Sequence, residues 1–497
     1  MSTDAALIVI AATALIALGL GLGARRGRDM GLEQWTVGGR GFGFVLVFLL
    51  LAGEIYTTFT FLGGSGYAYG KGGPTYYILS YGALAYVISY WMLPPIWRYA
   101  SEHKLISQPD FFVSKYESQT LGVLVALVGI VALVPYLVLQ FKGLGIIVEI
   151  ASYGAVSRTL AVWIGAAVVT SYVMVSGVHG SAWTAVLKDI AILAVVLFLG
   201  IYLPLHYYGG YGNMFSAIQA AKPGFLALPS HGQSLAWFDS TVLLTALGFF
   251  MWPHSFGAVY TAKHERVFRQ NAIVLPLYQI ILLFVFFVGF AAILQVPGLT
   301  GSKIDLSLFY LSRKTFSPWV LGVIGGAGVL TALVPGSMIM MTAATLSANN
   351  VYRVFRPSVK PDHLARVAKW LVPVVALISV WFTLQGGKTI VALLLMGYSF
   401  VTQLFPSLIM SLKHDNPVPR EAAIAGICVG VATVAVTTLT SASLGGLFPN
   451  APEVVQDLNI GIVALILNVA ATLVVTVAVR TQKSRQALTH GIGQDRP

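Results

Sequence analysis

Runs of about 20 apolar residues recur along this chain with short connections, each long enough to cross about 30 Å of hydrocarbon as a helix. We place about 13 of them, near residues 5–23, 42–69, 76–97, 119–148, 157–176, 183–204, 239–258, 270–296, 317–349, 366–385, 389–412, 420–441 and 457–479. Inside hydrocarbon every backbone polar group must be satisfied within its own segment, so each run predicts a helix. The expectation is an all-α integral membrane protein of about 13 transmembrane helices. Composition agrees, because 57% hydrophobic residues and a mean hydropathy of +0.80 exceed what a soluble core of 497 residues can hide. No stretch is left over for a soluble domain.

The first run lacks a basic leading region and a small-residue cleavage site, and Arg25, Arg26 and Arg28 follow it directly. It therefore reads as a retained helix with its far end in the cytoplasm, not as a signal peptide. With the N-terminus outside, 21 of the 30 Lys and Arg residues fall on the cytoplasmic side and 7 on the other, Arg496 being the last of the 21. That asymmetry expects an odd number of spans and a cytoplasmic C-terminus in a plasma membrane, the inner membrane of a bacterium. It also accounts for the net charge of +12 without nucleic acid, leaving lipid and a small solute as the expected partners and no obligate protein partner.

Cys428 is the only cysteine, the 9 histidines show no ligand spacing, and neither HExxH nor GxxxxGK[ST] occurs. No metal, cofactor or ATP-driven step is expected, and no catalytic cluster argues for an enzyme.

Two runs are interrupted. The second reads LLLAGEIYTTFTFLGGSGYAYG, with Gly53 beside Glu54 and then Gly63, Gly64 and Gly66; the seventh reads TALGFFMWPHSFGAVYTA, with Gly248, Pro253 and Gly257. Gly and Pro at membrane depth free backbone groups, which is tolerated where those groups line a cavity or are otherwise satisfied. Glycine also serves close helix packing, so either segment alone is ambiguous. A matched pair five spans apart points instead to a binding site between two inverted repeats, here spans 2–6 and 7–11.

Five segments in order resemble the sodium:solute symporters. WTVGGRGFGF at 35–44 is similar to that family's entry to the first core helix and FLGGSGYAYG at 61–70 to its glycine-rich exit. GVHGSAWTAVLKD at 177–189, MWPHSFGAVYTAKH at 251–264 and GVLTALVPGSMIMMTAATLSANNVYR at 328–353 are similar to three later motifs. The resemblance implies a LeuT-type fold, a 5+5 inverted repeat with one extra helix before the core and two after it. The expected division is 1–41 for the extra helix and loop, 42–204 for the first repeat, 205–238 for an extracellular loop, 239–412 for the second repeat and 413–497 for the last two helices and tail.

Glu54, Lys142, Lys188 and Asp189 lie inside otherwise apolar runs, where a charge costs at least about 2.5–3.5 kcal/mol and usually faces a partner, a cavity or a transported solute. The family holds sodium with carbonyls of the broken first core helix and two hydroxyls on the eighth; an ungapped match places Val334 and Pro335 at those hydroxyl positions. Neither offers an oxygen to a hard cation. Thr331 is nearby, and Ser337 would serve only with a shift in register. The family's Thr-Asp on the fifth core helix is Lys188-Asp189, so a lysine stands where sodium is expected and could load and release a proton. Proton coupling, or sodium independence, is therefore favoured, with Glu54 as a second titrating group. Glu54 as a static partner of Lys142 or Lys188, and Lys188 reaching the cytoplasmic interface, are the plainer readings.

For the solute, Lys142 and Gln140 on the third core helix, Trp252 and His254 on the seventh span, Tyr398 on the eleventh, and Thr57 and Thr58 on the broken helix are the candidate contacts. Lys142 and Gln140 are two residues apart and point to one cavity only if the helix is irregular. The seventh span most resembles the monocarboxylate-permease branch, except that Ala258 replaces the arginine usual there. The expectation is a secondary importer of a small monocarboxylate such as lactate or pyruvate. A sodium-coupled symporter of an amino acid or other solute and a membrane sensor domain are the alternatives.

Overall fold

The computed structural model describes residues 2–492, so Arg496 lies outside the described residues. Among them there is no strand; one isolated parallel bridge joins Phe42 to Ala262. Nine of the described helices are long and apolar enough to cross a membrane, and Leu235–Met251 with Pro253–Tyr260, bent by 49°, makes a tenth.

The remaining expected runs are where backbone chemistry interrupts or shades the signal. Arg158–Tyr208 is one 51-residue element divided at Gly177, whose φ of 51° and ψ of −135° are not helical, so the runs at 157–176 and 183–204 lie on either side of a break. A Cβ at Gly177 would stand 2.2 Å from the Trp35 carbonyl oxygen, so the kink also serves a close approach. Residues 42–69 form Phe44–Ala52, an unwound stretch, a π-helical turn over Phe59–Gly64, and Ser65–Lys71. Tyr77–Glu102 is helical through Pro94 and Pro95.

Short helices that hydropathy did not reveal fill the connections. Gln108–Tyr116 joins the second and third core helices, Ser307–Thr315 lies between the seventh and eighth, and Tyr211–Ala221 occupies the expected extracellular loop.

The span Pro318–Phe355 lies at the centre, with 94% of its most apolar window buried. Small residues let neighbours approach it closely: Gly322 faces Ala6, and Gly325 faces Ile10 and Ala151. The two last helices, Arg420–Leu439 and Ile460–Ile492, pack on each other through Gly426 and Gly430. Gly430 leaves room for Gln403, which receives a 2.7 Å hydrogen bond on its carbonyl from Asn468.

Candidate functional site

Both broken helices come apart where their sequences supply substitutes for helical hydrogen bonds. After Ala52 the chain turns through Gly53–Thr58. The Thr60 hydroxyl donates to the Ile55 carbonyl at 2.5 Å, and the Thr57 amide donates to the Thr60 hydroxyl at 3.1 Å. In the second break one 3₁₀ turn, Phe249–Met251, leads to extended Trp252, and Pro253 restarts the helix at the position where its missing N–H is harmless. The freed Met251 carbonyl accepts from Gln108 Nε2 at 2.8 Å.

Glu54 leaves the first break pointing at the second. Ser255 Oγ donates to Glu54 Oε2 at 2.6 Å, and His254 Nε2 lies 3.4 Å from the same oxygen. Glu54 is thus held by neither Lys142 nor Lys188. The His254 ring packs edge-on to Tyr136 at 5.3 Å, Tyr136 meets Trp252 at 4.9 Å, and Trp252 meets Tyr398 at 5.3 Å. Four candidates, Glu54, Trp252, His254 and Tyr398, therefore converge around Tyr136. Sequence reasoning missed Tyr136 and Ser255, although Tyr136 precedes Gln140 by one helical turn and shares its face. A small cavity of about 20 Å³, room for about one water, is lined by Gly53, Glu54, Tyr136, Ala185, His254 and Pro335 among others.

One turn along, the Thr58 amide donates to Gln140 Oε1 at 3.4 Å. Thr58 Oγ1 and Gln140 Nε2 are buried without a partner, which leaves a hydroxyl and an amide donor side by side. Thr57 is less available, since its hydroxyl accepts from the Phe59 amide at 3.1 Å.

Lys188 is fully buried within the protein. Its Nζ sits 2.8 Å from Asp189 Oδ1 and donates to the Tyr56 carbonyl in the unwound stretch at 3.3 Å. Val334 and Pro335 line the same small cavity as Gly53 and Ala185. Thr331 Oγ1 donates back to the Gly328 carbonyl of its own helix at 2.6 Å. The Ser337 hydroxyl pairs with that of Ser181 at 2.6 Å. No group of three or more His, Cys, Asp or Glu among the described residues could hold a metal ion.

Lys142 is apart from this cluster. Its ammonium donates to Asp305 Oδ2 at 2.8 Å and to the Lys388 carbonyl at 2.6 Å, so it joins the connection before Ser307–Thr315 and not the group around Gln140, in keeping with their spacing on a regular helix. Burial pushes the Asp305 carboxyl above the ordinary carboxylate range, with Lys142 opposing it. On its outer side Lys142 lines a cavity of about 490 Å³ with Arg158 and Lys303.

The model of the sodium:solute symporter family matches residues 35–430. A Bacillus subtilis protein described as an uncharacterized symporter is 62% identical over 97% of this chain and 99% of its own length. A monocarboxylate transport permease of Rhizobium johnstonii is 28% identical over 80% of this chain and 81% of its own. The Escherichia coli sodium/proline symporter is 21% identical over 67% of each. Among solved structures, a sodium-coupled sialic acid symporter in an outward-open state superposes with a TM-score of 0.78 at 15% identity, covering 95% of this chain and 97% of that one.

Proposed function

Because the chain belongs to the sodium:solute symporter family and has its LeuT-type fold, we propose that it imports a small monocarboxylate with Lys188 in place of the coupling sodium ion. It is a multi-pass membrane transporter with bacterial relatives, and not an enzyme.

The observation that carries the proposal is the Lys188 ammonium on the Tyr56 carbonyl. A carbonyl freed by the broken helix is an oxygen of the kind a hard cation needs, and here a covalently tethered cation meets it. On the eighth core helix Val334 and Pro335 offer no side-chain oxygen to complete a cation shell. Coupling to a proton in place of sodium is the reading that this tethered cation, held by one carboxylate and one carbonyl, supports.

For the solute, the support is chemical. The unpartnered Thr58 hydroxyl and Gln140 amide, with His254 Nδ1 also unpartnered, form a compact set of polar groups beside an aromatic wall of Tyr136, Trp252 and Tyr398. Such a set fits a carboxylate on a short carbon chain better than a polyhydroxylated sugar. The likeness to a monocarboxylate permease over most of both chains agrees.

Competition tests the substrate class. In proteoliposomes, unlabelled lactate, pyruvate and acetate should each suppress uptake of labelled pyruvate, whereas proline should not. Suppression by proline alone would move the assignment to an amino acid.

A further inference from the structure

The Lys142–Asp305 pair has a counterpart on the other side of the molecule. The connection between the second and third helices of the first repeat carries Asp110, on Gln108–Tyr116; the equivalent connection of the second repeat carries Asp305, on Gly301–Leu306. Each aspartate reaches across to the third helix of the opposite repeat. Asp305 takes Lys142 of Gln119–Ala151 at 2.8 Å. Asp110 takes the side-chain amides of Asn350 at 2.7 Å and Asn349 at 3.0 Å, on the π-helical end of Pro318–Phe355.

Both connections also touch a broken helix. Gly66, in the exit of the first break, has no Cβ, and one placed there would lie 2.8 Å from the Ile304 carbonyl oxygen, so the Asp305 segment lies directly on it. Asp305 Oδ2 further accepts from the Ile390 amide at 3.1 Å, at the start of the last helix of the repeat. On the other face Gln108, two residues before Asp110, holds the Met251 carbonyl in the second break. Ser107 completes that set, donating to Asn350 Oδ1 at 2.9 Å.

We propose that Asp305 and Asp110 are opposed latches, one closing the extracellular path to the central site and the other the cytoplasmic path. The inference rests on the transporter reading above, because alternating access needs one face released while the other is held. A charge-assisted bond on each face lets the two closed arrangements differ by discrete contacts, and removing one biases the equilibrium toward opening on that side.

The test uses the full-length protein carrying Cys428→Ser and Ala185→Cys, a cysteine in the wall of the central cavity, labelled by a membrane-impermeant maleimide in right-side-out and inside-out vesicles without substrate. Asp305→Asn should raise labelling from outside about tenfold and lower it from inside, and Asp110→Asn should do the reverse. Lys142→Met and Asn350→Ala provide the same readouts if an aspartate variant does not insert. Variants on both faces moving labelling in one direction, or not moving it, overturn the latches. The readout needs no solute, so opposed labelling without uptake of any acid would sink the substrate assignment alone. Unchanged labelling with acid uptake intact would sink the latches alone.

Discussion

The Lys188 ammonium donates to the Tyr56 carbonyl at 3.3 Å, which ties the fifth core helix to the one stretch of the first where the backbone is not helical. Asp189, 2.8 Å away, is the only carboxylate paired with it among the described residues. Removing the lysine alone leaves a buried carboxylate with no compensating charge, a loss of about 3–5 kcal/mol. Lys188→Met should therefore lower the melting temperature in detergent, and Lys188→Met with Asp189→Leu should recover most of it. Equal melting for the single and double variants would mean that the stranded Asp189 carboxylate costs nothing.

Glu54 bridges the two broken helices through Ser255 and His254. Glu54→Gln keeps a hydrogen-bonding oxygen for Ser255 but removes the charge. Uptake should fall about tenfold or more, while Ser255→Ala, which leaves the carboxylate its histidine, should cost less. Initial rates at matched expression check this, and the opposite order would show that the hydroxyl matters more than the charge.

Thr58 Oγ1 and Gln140 Nε2 are buried without hydrogen-bond partners. Thr58→Ala and Gln140→Leu should each raise KM about tenfold; Thr58→Ala should leave melting unchanged or higher, since it removes only an unsatisfied hydroxyl, whereas Gln140→Leu also takes the acceptor from the Thr58 amide and should lower it slightly. Unchanged KM in both variants would make them structural.

Gly177→Ala places a methyl group 2.2 Å from the Trp35 carbonyl oxygen, at a φ that other residues rarely adopt. The strain of such a backbone is of order 1–3 kcal/mol, and the clash adds to it. Melting should drop by several degrees or insertion should fail, whereas Gly257→Ala, with nothing within 4 Å, should be tolerated. Similar stability for both would remove the close approach as a constraint.

Periodicity and length made the membrane helices legible, and the paired Gly and Pro interruptions located both breaks. The short helices Gln108–Tyr116 and Ser307–Thr315 were not visible, because their residues are too mixed and their lengths too small for hydropathy to register. At the site, Glu54, Trp252 and His254 could be singled out because they lie beside the helix breaks, and Tyr398 through the family resemblance, but their convergence was not legible because no local signal links them. The grouping of Lys142 with Gln140 does not hold in the structure, since two residues along an intact helix rotate a side chain to another face. Asp305, its real partner, is 163 residues away in sequence, and nothing local marks such a pair. Tyr136 drew no reading of its own, because an aromatic residue on an apolar helix carries no signal until its neighbours are known.

The central claim is that a lysine stands in for sodium, and the coupling ion tests it most directly. Uptake of labelled lactate or pyruvate into proteoliposomes should be driven by an inward proton gradient in the absence of sodium, and that accumulation should vanish in Lys188→Ala. Accumulation that requires an inward sodium gradient, and that survives or rises in Lys188→Ala, would contradict the account.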